Sequence, residues 1–240
     1  MEENALTWLN DNKEWVFSGV GITLTLWILT IFRHKVFPYF LLLSNRYKSF
    51  LQEYKFDKIQ VNLEKHQSTF FWGIHFQKTI QIYEYDLKKS LEKGRCLRFL
   101  LVKPNGSAIK MAAFRNESSV DKDRPNKSLK LAIRYLADIE ELVKEDFKTR
   151  NISMNGQIKV RLIDSLPPYT IIAVNTGSDD GEMHVLLSPF RSATEGTPFF
   201  SLRKNDYWFQ FFVDQFEAVW NDPQAEEVKD LKGLADSLSV

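Results

Sequence analysis

Four histidines are the residues in this chain best suited to phosphoryl transfer, because an imidazole can attack phosphorus or move a proton. They are His34, His66, His75 and His184. Phosphoryl transfer also needs a positive charge that stabilises the phosphoryl group, a role that a lysine can fill.

Other catalytic motifs are absent from the sequence. It contains no Walker-type glycine loop and no GxGxxG, HExxH or GxSxG motif. The lone Cys96 excludes an intrachain disulfide framework and a multi-cysteine zinc site. Asp179, Asp180 and Glu182 stand in a stretch that is typical of a solvated hairpin turn. No metal and no cofactor is predicted, and a binding protein is favoured over an enzyme.

Polar residues at the ends of predicted strands indicate a candidate ligand pocket. Crevices outside the carboxyl ends of strands are common ligand sites in α/β sheets, and these side chains offer donors for phosphate and base edges. A structural role remains the alternative for each histidine, and a surface ion pair remains the alternative for the Arg161 and Asp164 pair. The predicted ligand-binding residues are His75, Lys103, Asn105, Ser107, Arg161, Asp164, His184, Ser188 and Arg191.

The elements that would position these residues alternate between strand and helix from Val61 onward. Apolar and β-branched runs predict strands at 69–76, 96–102, 158–162, 169–174 and 183–187, the last two as a hairpin. Apolar residues at helical spacing predict helices through 80–91, 107–115, 129–147 and 209–220. After Pro223 the chain is polar, with little to bury.

An uncharged apolar run from Trp15 to Phe32 predicts a transmembrane helix. Eighteen helical residues cover roughly 27 Å, close to the thickness of the hydrocarbon core of a bilayer. Acidic residues precede the run and basic residues such as Arg33 and Lys35 follow it, which predicts an N-terminus outside and a cytoplasmic C-terminal domain. The amphipathic stretch that follows lies either at the lipid interface or in an ordinary helix leading into the domain.

The overall charge gives no reason to expect a nucleic-acid partner. The sequence contains 32 lysine and arginine residues against 31 aspartate and glutamate residues, so no global basic field exists. An aromatic cluster near the C-terminus could in principle stack on bases, but its helical spacing and the lack of an interleaved basic patch favour core packing. Its members are Trp208, Phe209, Phe211 and Phe212.

A succession of segments resembles bacterial phospholipase-D-like domains that lack the catalytic motif. The segments are FFWGIHF, CLRFLLVKPNGSAIKMAA, IKVRLIDSLPPYTIIAV, MHVLLSPF and WFQFFVDQFEAVW, within residues 61–222. The resemblance implies a mixed sheet flanked by helices, which agrees with the order of elements above. It also implies a membrane-anchored protein associated with antiphage defence. Active members of that superfamily carry a lysine two positions after the catalytic histidine, but those positions are Val36, Ser68, Gln77 and Leu186 here. Against the family pattern, a phosphodiesterase of the standard kind is therefore not expected.

These patterns lead to one organisation and three functional hypotheses. The predicted α/β protein has a transmembrane anchor (1–35), a juxtamembrane segment (36–60), a phospholipase-D-like cytoplasmic domain (61–222) and a polar tail (223–240). The leading hypothesis is a single-pass, homo-oligomeric sensor or effector of the bacterial inner membrane that binds a nucleotide or another phosphorylated signal. The alternatives are a nonstandard membrane-tethered phosphodiesterase or nuclease using His75 or His184, and a scaffold that binds only protein partners.

Overall fold

The computed structural model describes residues 68–115, 123–188 and 198–238, together with Trp27, Thr30, Gln52, Glu53 and Leu63. The chain divides into two compact units, residues 1–50 and residues 51–240. The second unit contains every strand and helix discussed below.

None of the helices in the described ranges could cross a membrane. The longest of them, Arg124–Thr149, has sufficient length but carries exposed charged residues such as Arg134 and Asp138 along one face. The predicted anchor at 15–32 lies outside the described residues except for Trp27 and Thr30, and most of the segment 36–60 lies outside them as well. The predicted fold class with a transmembrane anchor, the bilayer partner and the inner-membrane localisation are corrected to this extent: no helix of the described ranges is a membrane span.

The second unit is built on a mixed eight-stranded sheet, in agreement with the mixed sheet that was predicted. The order across the sheet is β1-β7-β6-β5-β2-β3-β4-β8. Neighbours β2, β3 and β4 are parallel, and every other pairing is antiparallel. The strands are β1 (Gln52–Glu53), β2 (Ser68–Gly73), β3 (Cys96–Val102), β4 (Gln157–Ile163), β5 (Tyr169–Val174), β6 (Glu182–Leu187), β7 (Pro198–Arg203) and β8 (Glu226–Val228).

Helices cover both faces of the central strands, which explains why β2 and β3 are apolar nearly throughout. The helices are α1 (Gln77–Ile82), α2 (Glu84–Glu92), α3 (Ser107–Arg115), α4 (Arg124–Thr149), α5 (Phe209–Trp220) and α6 (Leu231–Ser237). Buried side chains of α1–α4 and α6 share one core with Phe71 and Phe99. Those of α5 share a second core with Phe70 and Leu100 on the opposite face.

Stacked aromatic rings connect neighbouring strands of the sheet and connect the sheet to α5. The rings of Phe71 and Phe99, on neighbouring strands, are stacked at 4.4 Å. On the other face, Phe70 stacks on Phe216 of α5 at 3.8 Å. Because aromatic pairs add about 0.5–1.5 kcal/mol each beyond the burial of their area, the first contact stabilises the pairing of β2 with β3 and the second stabilises α5 on the sheet.

Two predicted segments differ from the structure. The predicted helix through 80–91 is interrupted at Tyr83, although Tyr83 N still bonds Thr79 O at 3.0 Å and Leu87 N bonds Tyr83 O at 2.8 Å. Helical hydrogen bonding thus continues through a local distortion. The predicted polar tail instead supplies β8 and α6, because Leu231 and Ala235 are buried against the core and β8 pairs with β4.

Candidate functional site

The parallel arrangement brings the carboxyl ends of β2, β3 and β4 to one edge of the sheet. The end of β6 lies at the same edge, because β6 is antiparallel to β5 and β5 is antiparallel to β2. Six of the predicted ligand-binding residues follow these strands and therefore share this edge: His75, Lys103, Asn105, Ser107, Asp164 and Ser188.

Two of the six, Asp164 and Ser107, form a structural cap. The Asp164 carboxylate accepts hydrogen bonds from Ala108 N at 2.7 Å, from Ser107 N at 3.0 Å and from Ser107 Oγ at 2.9 Å. These bonds, that from Ala108 first, hold the pKa of Asp164 below its usual value. The carboxylate occupies the N-terminus of α3, where an anion would otherwise bind, so these two residues are unavailable for a phosphate.

A cleft of about 500 Å³ opens beside this cap, between α3 and the start of α4. One wall is apolar, with Phe114 about half exposed and Ile109 buried. The other wall is polar and carries both signs of charge. The residues that line the cleft are Asn105, Ile109, Lys110, Ala113, Phe114, Asp123 and Asn126. We refer to this feature as the strand-end cleft.

A pair of amides joins the two sides of the strand-end cleft. Asn126 Nδ2 donates to Asn105 Oδ1 at 2.8 Å, and Asn105 N donates to Asn126 Oδ1 at 3.2 Å. Asn105 has a φ of 61°, a conformation that asparagine tolerates better than most residues. These bonds fix both side-chain oxygens and leave the Asn105 amide group able to donate to a ligand.

Positive charge gathers at the end of β2, next to the strand-end cleft. Burial, together with the cations Arg124 and Lys78, lowers the pKa of His75 to about 4. The imidazole is therefore neutral at pH 7. Its Nδ1 atom is buried and has no hydrogen-bond partner among the described residues. Arg124 stands in the chain between Asp123 and Asn126, both of which line the cleft.

Lys103 and Arg161 have partners elsewhere. Lys103 pairs with Glu226 of β8. Arg161 donates to the backbone oxygen of Trp220, and its guanidinium lies 5.2 Å from the centre of the Trp220 ring. Arg161 thus faces α5, on the opposite side of the sheet from the strand-end cleft.

The remaining predicted residues do not reach the strand-end cleft either. His184 lies near the start of β6, where its Nδ1 is 2.8 Å from Ser201 Oγ. The backbone oxygen of Ser188 accepts a bond from Arg115 at 3.3 Å. Arg191 lies outside the described residues. The nine residues therefore do not form a single pocket, and Asn105 alone among them lines the cleft.

Sequence reasoning missed the residues that α4 brings to the cleft. Asp123 and Asn126 stand in the segment 121–127, whose polar composition predicts a loop, but the helix already begins at Arg124, with Pro125 in its first turn. Proline in the first turn of a helix was the signal available in the sequence. No pattern in the sequence indicated which face of α3 would be open, and so Lys110 and Phe114 were also missed.

The aromatic cluster near α5 is only partly in the core. Phe209 is buried, as predicted, whereas Trp208 is 53% and Phe211 is 45% exposed. Exposed Tyr207 and Trp208 contact each other edge to face at 5.1 Å, and Trp208 contacts Phe211 at 5.7 Å. Core packing therefore explains one side of this cluster and not the other.

The described residues include no group of three or more histidine, cysteine, aspartate or glutamate side chains placed to hold a metal ion. Lone Cys96 is partly buried at the start of β3.

Comparison with known proteins finds little that resembles this chain. No protein-family model and no curated protein matches it. These two comparisons do not bear on the phospholipase-D-like resemblance. A solved structure of TrmBL2, an archaeal chromatin protein with a novel mode of DNA binding, is 13% identical with a TM-score of 0.42, covering 95% of this chain and 69% of that one.

The sequence predicts no nucleic-acid partner, whereas this similar structure is of a DNA-binding protein. A TM-score of 0.42 is too low to transfer either fold or DNA binding to this chain. The structure itself shows the class of protein, which is a mixed α/β domain with a cleft at the carboxyl ends of its parallel strands.

Proposed function

We propose that the unit formed by residues 51–240 binds a nucleotide or another phosphorylated small molecule in the strand-end cleft. The observation that carries the proposal is the position of Arg124. It stands between two residues that line the cleft and is near enough to His75 to lower the pKa of that imidazole. A guanidinium at this place is suited to a phosphate group, which it can bind with two parallel hydrogen bonds.

The composition of the cleft supports a nucleotide in particular. Phe114 and Ile109 supply an apolar surface for a planar base, and the Asn105 amide offers donors to a base edge. The Asp123 carboxylate is an acceptor for the hydroxyl groups of a ribose. A volume of about 500 Å³ falls within the range of ordinary small-molecule pockets.

A phosphodiesterase or nuclease using His75 or His184 stays an untested alternative, and it would have to work with one of these histidines at a time. His75 follows β2 and His184 lies in β6, with β5 between them. Adjacent strands are about 4.8 Å apart, so these imidazoles lie at least two strand spacings from each other across the sheet. A protein-binding scaffold stays an untested alternative.

Isothermal titration calorimetry on the full chain tests the proposal. The ligands are adenosine and guanosine 5′-monophosphates, with the corresponding nucleosides and inorganic phosphate as partial ligands. Arg124→Gln should weaken binding of the monophosphate by about 10- to 150-fold, the loss of one charge-assisted hydrogen bond, and should leave nucleoside binding nearly unchanged.

The matched control is Arg134→Gln, an exposed arginine on the same helix ten positions further along. It should bind like the unmodified chain. Failure of every ligand to bind, or equal effects of Arg124→Gln and Arg134→Gln, would remove the basis of the proposal.

A further inference from the structure

Two cross-strand pairs place four polar side chains on one face of β6 and β7. His184 is directly opposite Ser201, and Glu182 is directly opposite Arg203. Because side chains alternate along a strand, all four point to the same face of the sheet. This group, which we call the β6–β7 quartet, lies away from the strand-end cleft, near the start of β6.

The imidazole of His184 connects two members of the quartet. Its Nδ1 lies 2.8 Å from Ser201 Oγ, and its Nε2 lies 3.7 Å from a Glu182 carboxylate oxygen. Nε2 is buried and has no hydrogen-bond partner among the described residues, and the Glu182 carboxylate at 3.7 Å is slightly too far away to accept one. A proton on Nε2, facing Glu182, leaves the Nδ1 lone pair directed at the serine hydroxyl.

Exposure around the quartet suits a reaction at Ser201. His184 is 8% exposed, whereas Ser201 is partly exposed and the Glu182 side chain is 44% exposed. Burial lowers the pKa of His184, although Glu182 opposes that shift. A neutral imidazole at pH 7 is the form that can take a proton from a hydroxyl.

We propose that Ser201, His184 and Glu182 form a nucleophilic serine site that accepts carboxylic esters. Nucleophile and base are within hydrogen-bond reach, and the carboxylate lies beyond the other ring nitrogen at 3.7 Å, a distance that must shorten for it to orient the imidazole. The exposed Arg203, two residues after Ser201 on the same face, supplies positive charge for the oxyanion that forms on attack.

The reaction proceeds in two balanced steps. Ser201 Oγ attacks the carbonyl carbon while its proton passes to His184 Nδ1, and the bond to the leaving alcohol breaks as His184 returns the proton to that alcohol. Water then attacks the acyl-serine by the same proton path. It releases the carboxylic acid and restores the Ser201 hydroxyl.

A fluorophosphonate probe on the full chain tests this site. Attack by Ser201 would form an Oγ–phosphorus bond and expel fluoride, and mass spectrometry of peptides would locate the adduct. We expect one adduct, at Ser201, that is absent from Ser201→Ala. Ser165→Ala, which removes an exposed serine outside the quartet, should be labelled like the unmodified chain.

Two variants separate catalysis from folding. His184→Asn retains a hydrogen-bond acceptor for Ser201 but no base, and it should label at least about 100-fold more slowly. Glu182→Gln changes a largely exposed group, so it should fold normally and label about 10-fold more slowly, with partial recovery in Glu182→Asp. Absence of an adduct at Ser201 in the unmodified chain would overturn the proposal. So would an unchanged rate in Glu182→Gln with native circular dichroism.

Discussion

Asp164, which follows β4, holds the first turn of α3 by accepting hydrogen bonds from both the backbone and the hydroxyl of Ser107. A third bond, from Ala108 N at 2.7 Å, completes the cap. The two residues are 57 positions apart in the chain, so the cap joins the ends of neighbouring strands β3 and β4. Residues that could have bound a ligand anion therefore serve to position α3, one wall of the strand-end cleft.

Removing this cap should destabilise the domain. We expect Asp164→Ala to lower the free energy of unfolding by about 1–2 kcal/mol, the usual value of a helix N-cap, because three donors lose their acceptor. Urea denaturation followed by circular dichroism measures the change. Asp179→Ala, in an exposed turn, is the matched control and should have little effect. Equal stability of the two variants would show that the cap contributes nothing measurable.

A side chain at Gly106 should disturb this cap, because it would collide with the Asp164 carboxylate. A Cβ at this position would lie 2.4 Å from Asp164 Oδ1, well inside van der Waals contact. Gly106→Ala should therefore destabilise the domain, and should cost less when Asp164 is already alanine. A double-mutant cycle measures this coupling, which we expect at about 0.5–2 kcal/mol. Additive effects in the cycle would contradict the contact.

The lowered pKa of His75 predicts that the folded protein loses stability in mild acid. Its pKa is about 4 in the folded protein against 6.5 for an ordinary histidine, so between these values the unfolded chain binds more protons than the folded chain. The free energy of unfolding should fall as the pH falls from about 6.5 to about 4, with a slope of at most about 1.4 kcal/mol per pH unit from this residue.

Urea denaturation at a series of pH values, compared between the unmodified chain and His75→Gln, isolates this contribution. The difference in unfolding free energy between the two proteins should be constant above pH 6.5 and should change steadily below it. A difference that is independent of pH would show that His75 titrates normally when folded.

Arg161 should have no part in ligand binding, because it faces α5 rather than the strand-end cleft. We expect Arg161→Gln to change the dissociation constant of a nucleoside monophosphate by less than about twofold, within the variation of a neutral substitution. It should still lower thermal stability, since the Trp220 carbonyl loses its donor. Calorimetry and a thermal melt on one preparation separate the two effects. Weakened binding without loss of stability would place Arg161 in the site after all.

Local pattern was sufficient to predict most of the elements. The run CLRFLLV predicted β3 with its observed limits, Cys96–Val102, because a buried strand flanked by helices is apolar throughout. The alternation of Val160 and Leu162 with charged neighbours predicted β4, and helical spacing predicted α5. The ends of β3, β5 and β6 could therefore be predicted, whereas the strand predicted at 69–76 ends at Gly73.

Partners across the sheet could not be predicted from these patterns. Periodicity shows that Arg161 and Leu162 point to opposite faces, but only the packing of α5 shows that the Arg161 face is closed by Trp220. The polar tail contained too few apolar residues to predict a strand, yet β8 forms because the edge of β4 offers it unpaired backbone groups.

The sequence by itself determined the order of strands β2–β6 and of the helices between Gln77 and Trp220, the absence of a paired histidine and lysine, and the polar residues that follow those strands. Those properties depend on neighbours within a few positions. Only the tertiary structure decided that Asp164 caps α3, that Asn126 meets Asn105, and that Ser201 meets His184. The physical reason is that each of these bonds joins residues distant in the chain, whose meeting depends on strand order and register rather than on local spacing.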